Sequence, residues 1–133
     1  MLNGDISSYT PPIILIRVED TLIKTHDTKL LGFTLRTSYE LDENTYGLIM
    51  RLSMKTHYKV NLVCDSGNYN SFKEYLEDVD LPFVNLMYHS TQTITNFLNN
   101  GIYYCYVDNN LDRIERVNHK SCYSVAEFTN LVL

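Results

Sequence analysis

Apolar positions along this chain fall into short runs that alternate with helix-spaced stripes. The first run, Ile13 to Val18, is nearly unbroken until Arg17, as expected of a strand buried on both faces. Pro12 precedes it, where a missing N–H does little harm. From Asp20 to Leu41 the chain is polar, and a β-branched, alternating patch near Phe33-Thr34-Leu35 suggests a short hairpin. Asp42 or Asn44 can cap a helix running to about His57, with Tyr46, Ile49, Met50, Ser53 and Met54 as its inward stripe. Lys59 to Cys64 reads as a second strand, Asp65-Ser66-Gly67-Asn68 as a turn, and Ser71 to Val79 as a second helix presenting Phe72, Leu76 and Val79.

Leu81-Pro82 ends that helix and leads into a third strand, Phe83 to Tyr88. Ser90 or Thr91 caps a third helix with Ile94, Phe97 and Leu98 inward and Gly101 as its stop. Ile102 to Val107 is a fourth strand closed by Asp108-Asn109-Asn110, and a weaker strand is expected near Val117 to Tyr123. Strand alternation would put Tyr103 and Cys105 on one face, Tyr104 and Tyr106 on the other. Ser124-Val125-Ala126-Glu127 is a capping box opening the last helix. Strand and helix in alternation, with crossovers of this length, predict one α/β domain over residues 1–133. It is a three-layer α/β/α, Rossmann-like fold with a mainly parallel sheet of about five strands.

In such a sheet the carboxyl ends of neighbouring strands converge on one crevice. Three strand ends carry polar groups: Arg17-Val18-Glu19-Asp20-Thr21, Cys64-Asp65-Ser66 and Asp108-Asn109. The stretch Arg17 to Leu22 resembles the first motif of the haloacid dehalogenase-like phosphatases, Asp-x-Asp-Gly-Thr-Leu. Val107-Asp108-Asn109 resembles their fourth motif, and Cys64 falls where the second strand normally ends in Thr or Ser. The polar stretch after the first motif fits the family's squiggle and flap and leaves no room for a large cap.

The resemblance implies a site that has lost its chemistry. In the family the first Asp attacks phosphorus, the second moves the proton, and Mg²⁺ binds the nucleophile and the fourth-motif acid. Here the nucleophile's place holds Arg17, and a guanidinium is neither nucleophile nor metal ligand. Glu19 stands for the second acid, Cys64 replaces the hydroxyl, and no Lys lies in the third-motif region, where His89 and Ser90 are the nearest polar residues. The remnant is Arg17, Glu19, Thr21, Cys64, Asp108 and Asn109. Burying Glu19 and Asp108 without a cation would be costly. The expectation is therefore that Arg17 pairs with Asp108, with Glu19 as the alternative partner. No cofactor is expected. In the rival reading, an active phosphatase or nucleotidase, Mg²⁺ would sit on Glu19 and Asp108, with Asp65 as a further candidate. A third reading has Arg17 gripping a phosphate or nucleotide.

Composition narrows the classes. A net charge of -5, with no Lys or Arg from Glu74 through Asp112, argues against a nucleic-acid binder that neutralises phosphates. No apolar run is long enough to span a membrane, and Met1 to Thr10 lacks the pattern of a signal peptide. A cytoplasmic protein is expected. The cysteines Cys64, Cys105 and Cys122 are odd in number, far apart and set among apolar residues, as buried thiols are. His26, His57, His89 and His119 show no ligand spacing. One Ala against 11 Tyr is a usage common in AT-rich genomes, many phages among them. The function expected is binding of a protein partner through an acidic, tyrosine-rich surface. A phage-encoded modulator of a host protein, working in the host cytoplasm, is the setting that size and composition suggest. Glu74 to Asp80 is an acidic run read as a solvated helix face or a docking surface.

Overall fold

The computed structural model describes residues 11–55, 58–79, 81 and 84–132. Five expectations fall on Met1 to Thr10, His57, Asp80, Pro82 and Phe83, which lie outside the described residues. The central strand is β1 (Ile13–Arg17), whose Ile14, Leu15 and Ile16 are fully buried. A hairpin of β2 (Ile23–Leu30) and β3 (Phe33–Leu41) follows, then α1 (Glu43–Ser53) and β4 (Lys59–Cys64). After a 3₁₀ turn at Ser66–Asn68 come α2 (Tyr69–Glu77), β5 (Asn85–Tyr88), α3 (Thr91–Asn99) and β6 (Cys105–Val107). The chain continues through α4 (Leu111–Val117), β7 (Cys122–Tyr123) and α5 (Val125–Val132).

The five-stranded sheet runs β5-β4-β1-β6-β7, with every pairing parallel. Within that sheet the winding reverses at β1, so the switch point lies between the ends of β1 and β6. One face of the sheet, with Ile14, Ile16, Leu62 and Val107, packs against α1, α2 and α5 through Leu48, Ile49, Leu52, Phe72 and Phe128. The other face, with Leu15, Val63 and Tyr106, packs against α3 and α4 through Ile94, Leu98 and Val117. Each such buried side chain contributes about 1.5–3 kcal/mol by leaving water. The expected α/β class, two helical layers and parallel five-stranded sheet are all present.

Local signals explain most element ends. The Asp42 carboxylate accepts from the Thr45 N–H (3.0 Å) at the start of α1, and Ser90 accepts from the Thr93 N–H (3.1 Å) at the start of α3. The capping box forms in both directions: the Glu127 N–H donates to Ser124 Oγ and the Ser124 N–H to Glu127 Oε1. Gly101, at φ +75°, follows the last turn of α3, a backbone conformation that a Cβ would strain.

Several expectations shift. The buried stripe of α1 is Thr45, Leu48, Ile49 and Leu52. Of the five residues expected inward only Ile49 is fully buried, and Met54 is 84% exposed. Thr45 tolerates the interior because its hydroxyl donates to Thr21 O and Asp42 Oδ2. The fourth strand starts only at Cys105, so residues 101–104 do not alternate; Tyr103 joins Tyr106 in the same cluster, while Tyr104 is exposed. The segment 111–117, left between turn and weak strand, is a helix. Asn110 caps it by accepting from the Arg113 N–H, and left-handed Asn118 ends it. The hairpin, expected to be short, pairs Ile23 with Leu41 at its base and Leu30 with Phe33 at its tip.

Candidate functional site

The carboxyl ends of β1, β4 and β6 meet where the winding reverses, and five of the six remnant residues pack there around two arginines. Arg17 closes β1 and is 1% exposed. Its Nη2 donates to Asp65 Oδ1 at 2.7 Å, and its Nε lies 2.9 Å from Glu19 Oε1. The Nε–H does not point at that oxygen, so this second contact is an ion pair without a hydrogen bond. Glu19 is fixed from its other oxygen, which accepts from the Asp65 backbone N–H and from Asn68 Nδ2, both at 2.8 Å. Burial acts to lower the Arg17 pKa, but Tyr106, Glu19 and Asp65 outweigh it and the net shift is upward. Arg17 stays charged.

The expected Arg17–Asp108 pair does not form; of the two partners considered, Glu19 is the one engaged. Asp108 has its own cation, Arg113 from α4. Arg113 Nε donates to Asp108 Oδ2 at 2.8 Å and Nη2 to Oδ1 at 3.1 Å, the two-pronged geometry that suits a guanidinium and a carboxylate. Arg113 also reaches the Glu19 carbonyl (2.7 Å) and Asp20 (3.3 Å). Burial opposes its charge, yet the bonds to Asp108 raise its pKa overall.

Asp108 is fully buried and its lone pairs are taken. Oδ1 accepts from Thr21 Oγ1, the Asn110 N–H and Arg113; Oδ2 accepts from the Tyr106 hydroxyl and Arg113. A carboxylate offers about four lone-pair sites, so nothing is left for a metal ion. Burial, and then the neighbouring Asp108, raise the Tyr106 pKa, keeping its hydroxyl a donor. Thr21 accepts from the Asn109 N–H (3.0 Å) as it donates to Asp108. Asn109 turns away and caps α5, its Oδ1 accepting from the Val125 N–H.

Cys64 is buried beneath Arg17 and Glu19. Its thiol is pushed up to about 12, first by burial and then by Glu19, so it is a packing group rather than a nucleophile. All three cysteines are free thiols. His89 and Ser90, in the third-motif region, do not join the cluster: His89 contacts the Tyr103 hydroxyl and Met87 Sδ, and Ser90 caps α3. Among the described residues no group of three or more His, Cys, Asp or Glu is placed to hold a metal. The Mg²⁺ of the rival reading therefore does not fit: Asp108 is saturated by Arg113, and Arg17 holds Glu19 and Asp65.

Beside the arginines opens a crevice of about 420 Å³ under the hairpin, with Glu19, Asp20, Asp27, Asn68 and Arg113 among its walls. Three carboxylates against one guanidinium give it a field that repels phosphate. Arg113 and its helix escaped the sequence reading. The signals were the Asn110 cap, Asp112 in the first turn and Arg116 in the last. No helix among the described residues is long and apolar enough to cross a membrane. No protein-family model, curated protein or solved structure matches this chain.

Proposed function

We propose that this chain is a non-catalytic, capless haloacid dehalogenase-like protein that works by binding a protein partner. The observation that carries the reading is the saturation of Asp108 by Arg113, Tyr106, Thr21 and Asn110. With Arg17 at the nucleophile's place, neither an attacking carboxylate nor a metal ligand is available at the switch point. The resemblance itself gains support from the backbone. Asp20 stands where the motif has Gly and adopts φ +60°, a left-handed conformation that Gly takes freely and Asp tolerates better than most residues. Ion pairs among the protein's own side chains occupy the strand ends where such folds keep their chemistry, which leaves the surface as the working part. A phage-encoded modulator of a host protein remains the setting proposed.

The test is twofold. Turnover of phosphoesters and nucleotides with Mg²⁺ is expected at background, unchanged by Asp108→Asn; turnover abolished by that substitution would overturn the reading. Affinity capture from the native or host cytoplasm should return one stoichiometric protein partner.

One observation favours a second reading, a phosphate or nucleotide sensor. Arg17 Nη1 is buried without a hydrogen-bond partner. Thermal stabilisation by inorganic phosphate or a nucleotide, lost in Arg17→Ala, would support it. The three carboxylates lining the crevice lead us to expect no shift.

A further inference from the structure

We infer that the tip of the β2–β3 hairpin is a self-association element that seats in an apolar groove beside α2 of a second copy of this chain. None of the tip or groove residues belongs to the arginine network, and the inference does not depend on whether that network is catalytic.

The tip is built outward. Leu30, Leu31, Phe33 and Leu35 are 58, 88, 74 and 63% exposed, four large apolar side chains within six residues of a mostly exposed strand pair. Single exposed leucines are ordinary, whereas a contiguous cluster marks a contact surface. The turn sharpens the point. Leu31 and Gly32 have φ +53° and +83°, the two-residue hairpin turn that favours Asn-Gly or Asp-Gly. A leucine there bears a left-handed penalty of about 1–2 kcal/mol and places its side chain in water.

The second copy is selected by charge. Lys29 and Arg36 flank the tip, and no acid lies between Asp27 and Glu40. A basic collar thus surrounds an apolar finger on a chain of net charge -5. The chain carries a matching recess of about 330 Å³, lined by Tyr69, Leu76, Leu81, Val84 and Leu86. Glu77 and Lys73 also line it, and Glu74 and Asp78 stand exposed on the same helix and its end, so acids outnumber the one lysine. The recess borders β5, the sheet's edge, whose only described partner is β4. Among the described residues the hairpin strands likewise pair with no strand but each other. An incoming hairpin can therefore offer apolar side chains to the groove and an open backbone edge to β5. Reciprocal exchange makes each contact twice and closes a two-fold pair.

The test is sedimentation velocity over a dilution series into the submillimolar range. The wild type should show a reversible monomer–dimer equilibrium, weakened about tenfold when salt is raised to roughly 1 M and the Debye length falls to about 3 Å. Leu31→Asp with Phe33→Asp should leave a monomer with unchanged circular dichroism. Charge reversal supplies the specific test. Lys29→Glu with Arg36→Glu gives an acidic tip, and Glu74→Arg with Glu77→Arg gives a basic groove. Each variant alone should be monomeric, and an equimolar mixture should dimerise, because both contacts then pair opposite charges. Three results would overturn the inference: a wild type monomeric throughout the series, dimers that survive the tip substitutions, or a monomer whose Leu31 and Phe33 instead drive binding to phosphatidylserine vesicles.

Discussion

Two neighbouring stretches of this chain handle side chains in opposite ways. At the end of β1 a long cation, Arg17, is drawn inside and given Glu19 and Asp65 as partners. Six residues later β2 leaves the body, and at its far end Leu30 and Leu31 are pushed into water. A charged group inside persists only when paired with opposite charge, and both arginines at the switch point hold carboxylates. An apolar group outside persists without partners, and what it lacks is cover. The difference separates a site that has been completed internally from one that is left open.

The largest effect should come from opening the closed region. Arg113→Ala leaves Asp108 buried without its cation and should cost about 3–5 kcal/mol in urea unfolding. Adding Asp108→Asn, which removes the unpaired charge but keeps an acceptor for Tyr106, Thr21 and Asn110, should recover part of that loss. A loss below about 1 kcal/mol would mean that Asp108 does not depend on Arg113.

An intermediate effect is expected at the seam between the regions. Asp42 ends the hairpin, its N–H donating to the Leu22 carbonyl while its carboxylate caps α1 and meets Lys24. Burial would raise its pKa, but the Thr45 N–H and hydroxyl and Lys24 prevail and lower it. A carboxylate with a depressed folded pKa lends stability above its unfolded value, and that contribution is lost as pH falls through the folded one. Stability should therefore drop as pH falls below about 3.8. Asp42→Ala should cost about 1 kcal/mol at neutral pH, while Asp42→Asn should keep the cap and flatten the acid limb.

The smallest effect belongs to the open region. Leu31→Asn relieves a left-handed leucine and should stabilise the fold by about 0.5–1 kcal/mol, read as a small rise in Tm. Equal loss of stability from Leu31→Asn and Arg113→Ala would erase the contrast.

Much of this was legible in the sequence. Ile13 to Val18 announces a buried parallel strand because nothing else needs apolar side chains on both faces, and Ser124 with Glu127 announces a helix start. The convergence of Arg17, Glu19, Thr21 and Asp108 follows from a parallel sheet, whose carboxyl ends share one edge, and the alternation of elements made that sheet readable. What the sequence concealed was Arg113. Its helix is only seven residues long and carries one fully buried side chain, Val117, so it has almost no apolar stripe to betray it. Without that helix the sequence offers Asp108 only Arg17, whereas its cation is Arg113. The expected tyrosine surface is partly drawn inward for a related reason, though Tyr88 and Tyr104 stay 55 and 59% exposed. Tyr39 stands edge-on to Phe72 and Tyr75, Tyr69 to Tyr88, and Tyr103 and Tyr106 are buried. A tyrosine's amphipathic side chain suits either place, so counting tyrosines does not locate them. The exposed apolar cluster is instead on the hairpin, in Leu30, Leu31, Phe33 and Leu35.

The central position of β1 has a consequence for how the protein must be made. β1 emerges from the ribosome first among the described strands, yet its neighbours are residues 59–63 on one side and 105–107 on the other. Until residues 105–107 are made, Ile13-Ile14-Leu15-Ile16 is a strand with no second neighbour, the kind of segment that pairs with other chains. A ribosome stalled before Cys105 would hold a sheet missing one side of its middle strand, and a fragment ending there should be captured by chaperones or aggregate. Folding of this domain is therefore committed only when Cys105–Val107 arrives to close a strand laid down about 90 residues earlier.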